Sequence, residues 1–280
     1  MVRSHADRVP STARGLERSS SVGVERLRAL WRDEQPVKAA WLSTPDGLVA
    51  ETMAHAGFDV LVLDMQHGMA IGPDRAAAWL QAVSAADVAA LIRVPWNDPV
   101  HIQYVLDAGA DGVIVPLIAS PAEAARAAGA CRYPPLGYRS FGPNRARYRA
   151  ADADYLTWAN EQVVCIALVE HVDAVAAIEE IVRVPGLDGV FIGPADLGLS
   201  MGLPPGQYDE RHAAAVRRVA EVARAHGKVA GIFGGGGADE ARAYRAQGFN
   251  FCPLAWDLGL LREGSAAAIR RFVEGTRDDR

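Results

Sequence analysis

From Val24 onward the chain alternates short apolar runs with longer stretches rich in Ala, Glu and Arg. ERLRALW reads as a short amphipathic helix leading into the first apolar run, VKAAWL. Seven more runs follow: DVLVLD, VAALIRV, DGVIVPL, VVCIALVE, LDGVFIG, GKVAGIF and FNFCPLA. Several are almost continuously apolar, as expected of parallel strands covered on both faces. The stretches between them, such as PDRAAAWLQAVSAA, SPAEAARAAGA, VDAVAAIEEIVR and DERHAAAVRRVAEVARAHG, carry helical spacing. Several open at Pro, Ser or Asp and close near Gly, the usual helix start and stop signals.

Strand–helix alternation repeated eight times predicts the α/β class and a (β/α)8 TIM barrel. An open doubly wound sheet is the alternative, but no GxGxxG follows the first strand. The barrel is expected to be one domain over 23–280, after a disordered tail over 1–22. That tail is Arg- and Ser-rich without a following apolar segment, and a transit peptide shares part of its composition. The longest connection, Tyr133 to Asn160, is rich in Pro, Gly, Arg and Tyr. In a barrel, a loop leading from a helix to the next strand belongs at the N-terminal face, although one this long can also reach across a subunit boundary.

Composition narrows the function. The net charge is −5, from 29 basic against 34 acidic residues, without a dense basic patch, which argues against a nucleic-acid partner. No apolar run approaches the roughly 20 residues a membrane helix needs. Three widely spaced cysteines, Cys131, Cys165 and Cys252, form no CxxC pair and fit a reducing, cytoplasmic setting.

Two apolar runs end in carboxylates, CIALVEH at Glu170 and VFIGPADLG at Asp196. Barrel active sites sit at the C-terminal ends of strands, so polar groups there face a cavity while the strands remain core. Those positions hold Trp41, Asp64, His67, Arg93, Glu170, His171 and Asp196. Glu170 and Asp196 are hard oxygen donors suited to Mg2+ or Mn2+, though each could instead cap the helix that follows. In LDMQHG a carboxylate at Asp64 could orient the imidazole of His67 as a general base, and a histidine merely bonded to its loop is the plain alternative. Arg93 could stabilise an oxyanion, or simply pair with Asp98 or another rim carboxylate. WNDP reads as a turn and helix start capped by Asn97 or Asp98. FGGGGADEA places four glycines before a helix, which suits an anion site or a mobile linker equally. No lysine stands at a strand end, since Lys228 begins its strand, so a Schiff base is disfavoured.

With these residues in view, the chain from about Val24 onward resembles the HpcH/HpaI aldolase family of metal-dependent pyruvate aldolases. The resemblance rests on AGFDVLVLDMQHG, RVPWNDP, LDAGADGVIVP, GYRSFGPNRA, VEHVDAVAAIEEI, LDGVFIGPADLGLSMG and DLGLL, in that order. It implies a class II aldolase that reversibly cleaves 4-hydroxy-2-oxo acids to pyruvate, or a related 2-oxo acid, and an aldehyde. Glu170 and Asp196 would then hold a divalent ion (Mg2+, Mn2+ or Co2+). His67, oriented by Asp64, would move the proton through a water at the metal, and Arg93 would stabilise the enolate. Backbone N–H groups at Ala195 and Asp196 would hold the substrate carboxylate, with Trp41 and Trp256 lining the substrate pocket. Asp107 would reach a neighbouring subunit's site in a homo-oligomer, trimer-based and hexameric. The chain departs from the family pattern at Leu168, where many members have Gln, at His171, and at Trp256 before Asp257. A citrate-lyase-like or malyl-CoA-lyase-like enzyme is the second reading, with Arg145, Arg147 and Arg149 as the candidate contacts for a CoA tail. A catalytically silent barrel acting as a binding protein is the third.

Overall fold

Every apolar run of the sequence supplies a strand, and every neighbouring pair is parallel. In the computed structural model, which describes residues 23–69, 72–150 and 154–278, the strands are β1 (Ala39–Leu42), β2 (Val60–Asp64), β3 (Ala89–Arg93) and β4 (Gly112–Val115), then β5 (Val164–Val169), β6 (Gly189–Ile192), β7 (Val229–Ile232) and β8 (Pro253–Trp256). Their order, β7-β6-β5-β4-β3-β2-β1-β8, is that of a barrel opened between β7 and β8. A bridge from Gly231 to Phe251, reinforced by Ile232 N–H donating to the Phe251 carbonyl at 3.1 Å, closes that gap. The chain is therefore a (β/α)8 barrel. Gly231 is needed there, because a Cβ would lie 2.2 Å from the Phe191 ring inside the barrel. The expected tail over 1–22 lies outside the described residues.

The helices are α1 (Gly23–Arg32), α2 (Gly47–Ala54), α3 (Pro73–Val83), α4 (Pro99–Asp107), α5 (Pro121–Cys131) and α6 (Tyr155–Gln162), followed by α7 (Val172–Ala176), α8 (Ile178–Val182), α9 (Pro194–Ser200), α10 (Glu210–Ala225), α11 (Ala238–Ala246) and α12 (Asp257–Asp278). Their starts follow the capping chemistry of the sequence. Asp98 accepts from Val100 N–H at 2.8 Å with Pro99 in the first turn of α4, and Ser120 and Asp209 cap α5 and α10 in the same way. The stretch expected as one helix over VDAVAAIEEIVR is two, because the backbone leaves helical geometry at Ala177 (φ −94°, ψ 15°). The last strand begins later than the apolar run FNFCPLA suggests, at Pro253, and its pairing with β1 shifts register between Ala39 and Ala40.

The long connection after α5 runs back along the N-terminal side, as the barrel geometry requires. Arg149 pairs with buried Asp111 just ahead of β4, and Arg145 donates to the carbonyls of Leu80 and Ala108. No helix among the described residues is long and apolar enough to cross a membrane.

Candidate active site

A cavity of about 450 Å³ opens at the C-terminal rim of the barrel. Trp41, Asp64, His67, Arg93, Glu170 and Asp196 all line it, as do Ala195, Leu168 and Trp256. Sequence positions spread over more than 200 residues thus meet at one rim, because each ends or follows a parallel strand.

Asp64 and Arg93 form the best-defined pair. The two are register partners across β2 and β3. Arg93 donates from Nε to Asp64 Oδ1 at 2.8 Å and from Nη2 to Oδ2 at 2.5 Å, a two-point carboxylate–guanidinium contact. Asp64 Oδ1 also accepts the backbone N–H groups of Gln66 (2.9 Å) and His67 (3.1 Å), and Trp41 Nε1–H approaches Oδ2 at 3.4 Å. Burial pushes the Asp64 carboxyl up. The Arg93 hydrogen bond and charge, with the two N–H donors, outweigh that effect and leave its pKa below the ordinary value. Of His67 the Asp64 carboxylate bonds the backbone N–H, and among the described residues it makes no hydrogen bond to the imidazole. His67 stands exposed on the rim. Of the alternatives for Arg93, the partner is a rim carboxylate, Asp64, whereas Asp98 is spent on capping α4.

Glu170 and Asp196 leave neighbouring strand ends. Glu170 is buried, and its Oε1 accepts the N–H of Leu117 at 2.7 Å. Leu117 holds the left-handed conformation (φ 57°), uncommon for a branched side chain, and so aims that donor across the mouth of β4. Burial raises the Glu170 pKa above its ordinary value; the Leu117 bond opposes this, the charge of Asp196 adds to it, and Arg93 offsets it in part. Neither carboxylate caps a helix. His171 caps α7 through its own Nδ1, which accepts from Asp173 N–H at 3.2 Å, and Gly193 is the cap position of α9 with Asp196 inside the first turn. Gly193 lies against Glu170, and a Cβ there would come within 2.9 Å of Oε2. Among the described residues no third His, Cys, Asp or Glu completes a cluster. Two mutually repelling carboxylates on one cavity, one of them desolvated, suit a hard divalent cation whose other positions go to solvent or substrate oxygens. Pro194 brings no N–H, and the first-turn N–H groups of Ala195 and Asp196 lack intrahelical acceptors.

The profile of the HpcH/HpaI aldolase/citrate lyase family matches residues 39–264. The chain belongs to that family. Its relatives in the family include a hydroxypyruvate/pyruvate aldolase of Rhizorhabdus wittichii, 40% identical over 257 residues that cover 91% of this chain and 99% of the relative. A 4-hydroxy-2-oxo-heptane-1,7-dioate aldolase of Salmonella dublin is 36% identical over 243 residues, 85% of this chain and 90% of that one. Among solved structures, an HpcH/HpaI aldolase/citrate lyase family protein from Burkholderia cenocepacia J2315 superposes with a TM-score of 0.82 at 33% identity, covering 88% of this chain and 98% of the other.

Other site residues expected from the family resemblance fall in two groups. Trp256 lines the cavity: its Nε1 donates to Ser43 Oγ at 2.9 Å, and Arg262 stacks on its ring at 4.6 Å. Asp257, next to it, accepts from Ser43 N–H, Thr44 N–H and Thr44 Oγ1, tying the exit of β8 to that of β1. Asp107 is the last residue of α4, outside this chain's own cavity, where Arg139 donates to its Oδ1 at 2.6 Å. Arg145, Arg147 and Arg149 are spent on backbone carbonyls and on Asp111, leaving the CoA reading without its basic contacts. Sequence reasoning missed Tyr208, Glu240 and Tyr244, which line the outer part of the cavity. Glu240 reads in the sequence as an ordinary acid at a helix start, and only the folded chain brings it to the rim.

Proposed function

We propose that the chain is a class II aldolase, which reversibly cleaves a 4-hydroxy-2-oxo acid into pyruvate, or a related 2-oxo acid, and an aldehyde. The convergence of the Glu170–Asp196 carboxylate pair with the clamped Arg93 on one cavity carries this reading, and the names of the relatives agree with it. Glu170 and Asp196 would hold a divalent cation, which would supply a Lewis acid for the keto group.

The remaining work falls to the chain's own groups. Arg93 has Nε and Nη2 committed to Asp64, which leaves its Nη1 edge for the keto oxygen, where negative charge develops as the enolate forms. Because that edge is fixed before substrate arrives, little reorganisation is needed when the charge appears. The Ala195 and Asp196 N–H groups receive the substrate carboxylate and so aim the methyl carbon. His67, exposed on the rim of the same cavity, takes a proton from that carbon and returns it in the reverse direction. Phe191, Phe233, Leu168 and Trp41 supply the apolar lining that keeps bulk water from the carbanion. Asp107, held by Arg139, serves the site of a neighbouring subunit in a trimer-based hexamer. Its carboxylate is about one-third exposed at the end of α4, which suits that role. The test is metal-dependent exchange of the pyruvate methyl protons with solvent, which needs no knowledge of the aldehyde.

A further inference from the structure

The side of the cavity flanking β7 and β8 has a distinctive chemistry, and it is the side on which we place the approach of the aldehyde. Glu240, Tyr244, Tyr208 and Trp256 line it. Glu240 and Tyr244 project from α11 over Gly234, where a Cβ would lie 2.5 Å from Glu240 Cδ and 2.4 Å from Tyr244 Cε2. The missing side chain makes room for both residues to lean onto the cavity. Tyr208 stacks on His212 with ring centroids 4.1 Å apart, and His212 Nε2 is bonded to the Pro194 carbonyl at 2.9 Å, so the tyrosine is tied to the first turn of α9, which carries Asp196.

Charge decides what this side can accept. Four carboxylates line the cavity, those of Asp64, Glu170, Asp196 and Glu240, against one guanidinium, that of Arg93, and one imidazole, that of His67. Arg93 is committed to Asp64, and Glu170 and Asp196 face the cation site. Glu240 has no hydrogen bond or ion pair among the described residues, and burial, unopposed by any cation, raises its pKa. Arg262 stacks on Trp256 and does not line the cavity. The hydroxyls of Tyr208 and Tyr244 are likewise without hydrogen-bond partners among the described residues.

We propose that Glu240 sets the class of aldehyde: the electrophile is a small, neutral, hydroxylated aldehyde, and aldehydes bearing a second carboxylate are rejected. A carboxylate and two tyrosine hydroxyls can bond the hydroxyl groups of such a substrate, whereas a second anion would meet Glu240, which no cation pairs among the described residues. The inference rests on the aldolase reading above, so its test begins by separating the two. Wild-type enzyme loaded with Mn2+ is assayed first for pyruvate proton exchange in D2O, then for kcat/KM in aldol addition to glycolaldehyde and to succinic semialdehyde.

Like-charge juxtaposition at a binding site is costly enough that a preference for glycolaldehyde of about tenfold or more is expected. Glu240→Gln should shrink that ratio by about tenfold, and Glu240→Lys should carry it further toward the anionic aldehyde. Equal or better use of succinic semialdehyde by the wild type, or a ratio identical in all three proteins, overturns the role of Glu240 while exchange still supports the aldolase. Absent exchange overturns the aldolase reading and this inference with it.

Discussion

Replacing Asp64 by Asn isolates the charge that holds Arg93 in place. Asp64 accepts five hydrogen bonds, two from Arg93, two from backbone N–H groups and one from Trp41, and its side chain is 3% exposed. An amide of the same shape keeps one acceptor oxygen but puts an NH2 against the guanidinium or the N–H donors. Arg93, itself only 13% exposed, is left as a largely desolvated and unpaired cation. Breaking one side of a buried ion pair costs about 3–5 kcal/mol, and the partial exposure of Arg93 favours the lower end. At roughly 2–4 °C per kcal/mol for a chain of this size class, the melting temperature should fall by about 6–12 °C.

The pH dependence follows from the same pair. The folded pKa of Asp64 lies below its ordinary value, so the carboxylate contributes stability that is present above the unfolded pKa of about 3.9 and is lost as pH falls through the folded value. Asp64→Asn should therefore flatten the acid limb of the stability profile. Calorimetry and urea unfolding from pH 3 to pH 7 measure both effects. A variant within 1–2 °C of the wild type, with an unchanged acid limb, would refute the buried-pair argument.

Three further substitutions separate the cation from the proton. Glu170→Gln or Asp196→Asn should weaken Mn2+ binding by calorimetry at least about tenfold, since even outer-shell changes cost 10–100-fold, and leave the circular dichroism of the barrel intact. Unaltered affinity would show that the cation sits elsewhere. His67→Ala should keep Mn2+ affinity but slow pyruvate proton exchange by about 10²-fold or more, and a wild-type exchange rate would remove His67 from the proton path.

The barrel was legible because its strands are buried on both faces and so read as nearly unbroken apolar runs, and because its helices start on Asp, Ser and Pro. The rim was legible for the same reason, since a carboxylate or arginine that ends an apolar run has to face a cavity. Side-chain partnership was not. Asp64 and His67 are close in sequence, but strand register places Asp64 beside Arg93, and the turn then folds the backbone of His67, rather than its ring, onto the carboxylate. The break at Ala177 leaves no mark in the sequence, since no Gly or Pro interrupts VDAVAAIEEIVR. Glu240, Tyr208 and Tyr244 come from the two connections that flank β7, and only the folded chain brings them to one rim.

The central claim is that this cavity makes an enolate from a 2-oxo acid with the help of a divalent cation. NMR of the pyruvate methyl signal in D2O tests it most directly, with Mg2+ or Mn2+ and then with excess chelator. The account predicts progressive loss of the methyl signal in the presence of metal, arrest on chelation and recovery when metal is restored. A methyl signal that persists with metal bound would contradict it.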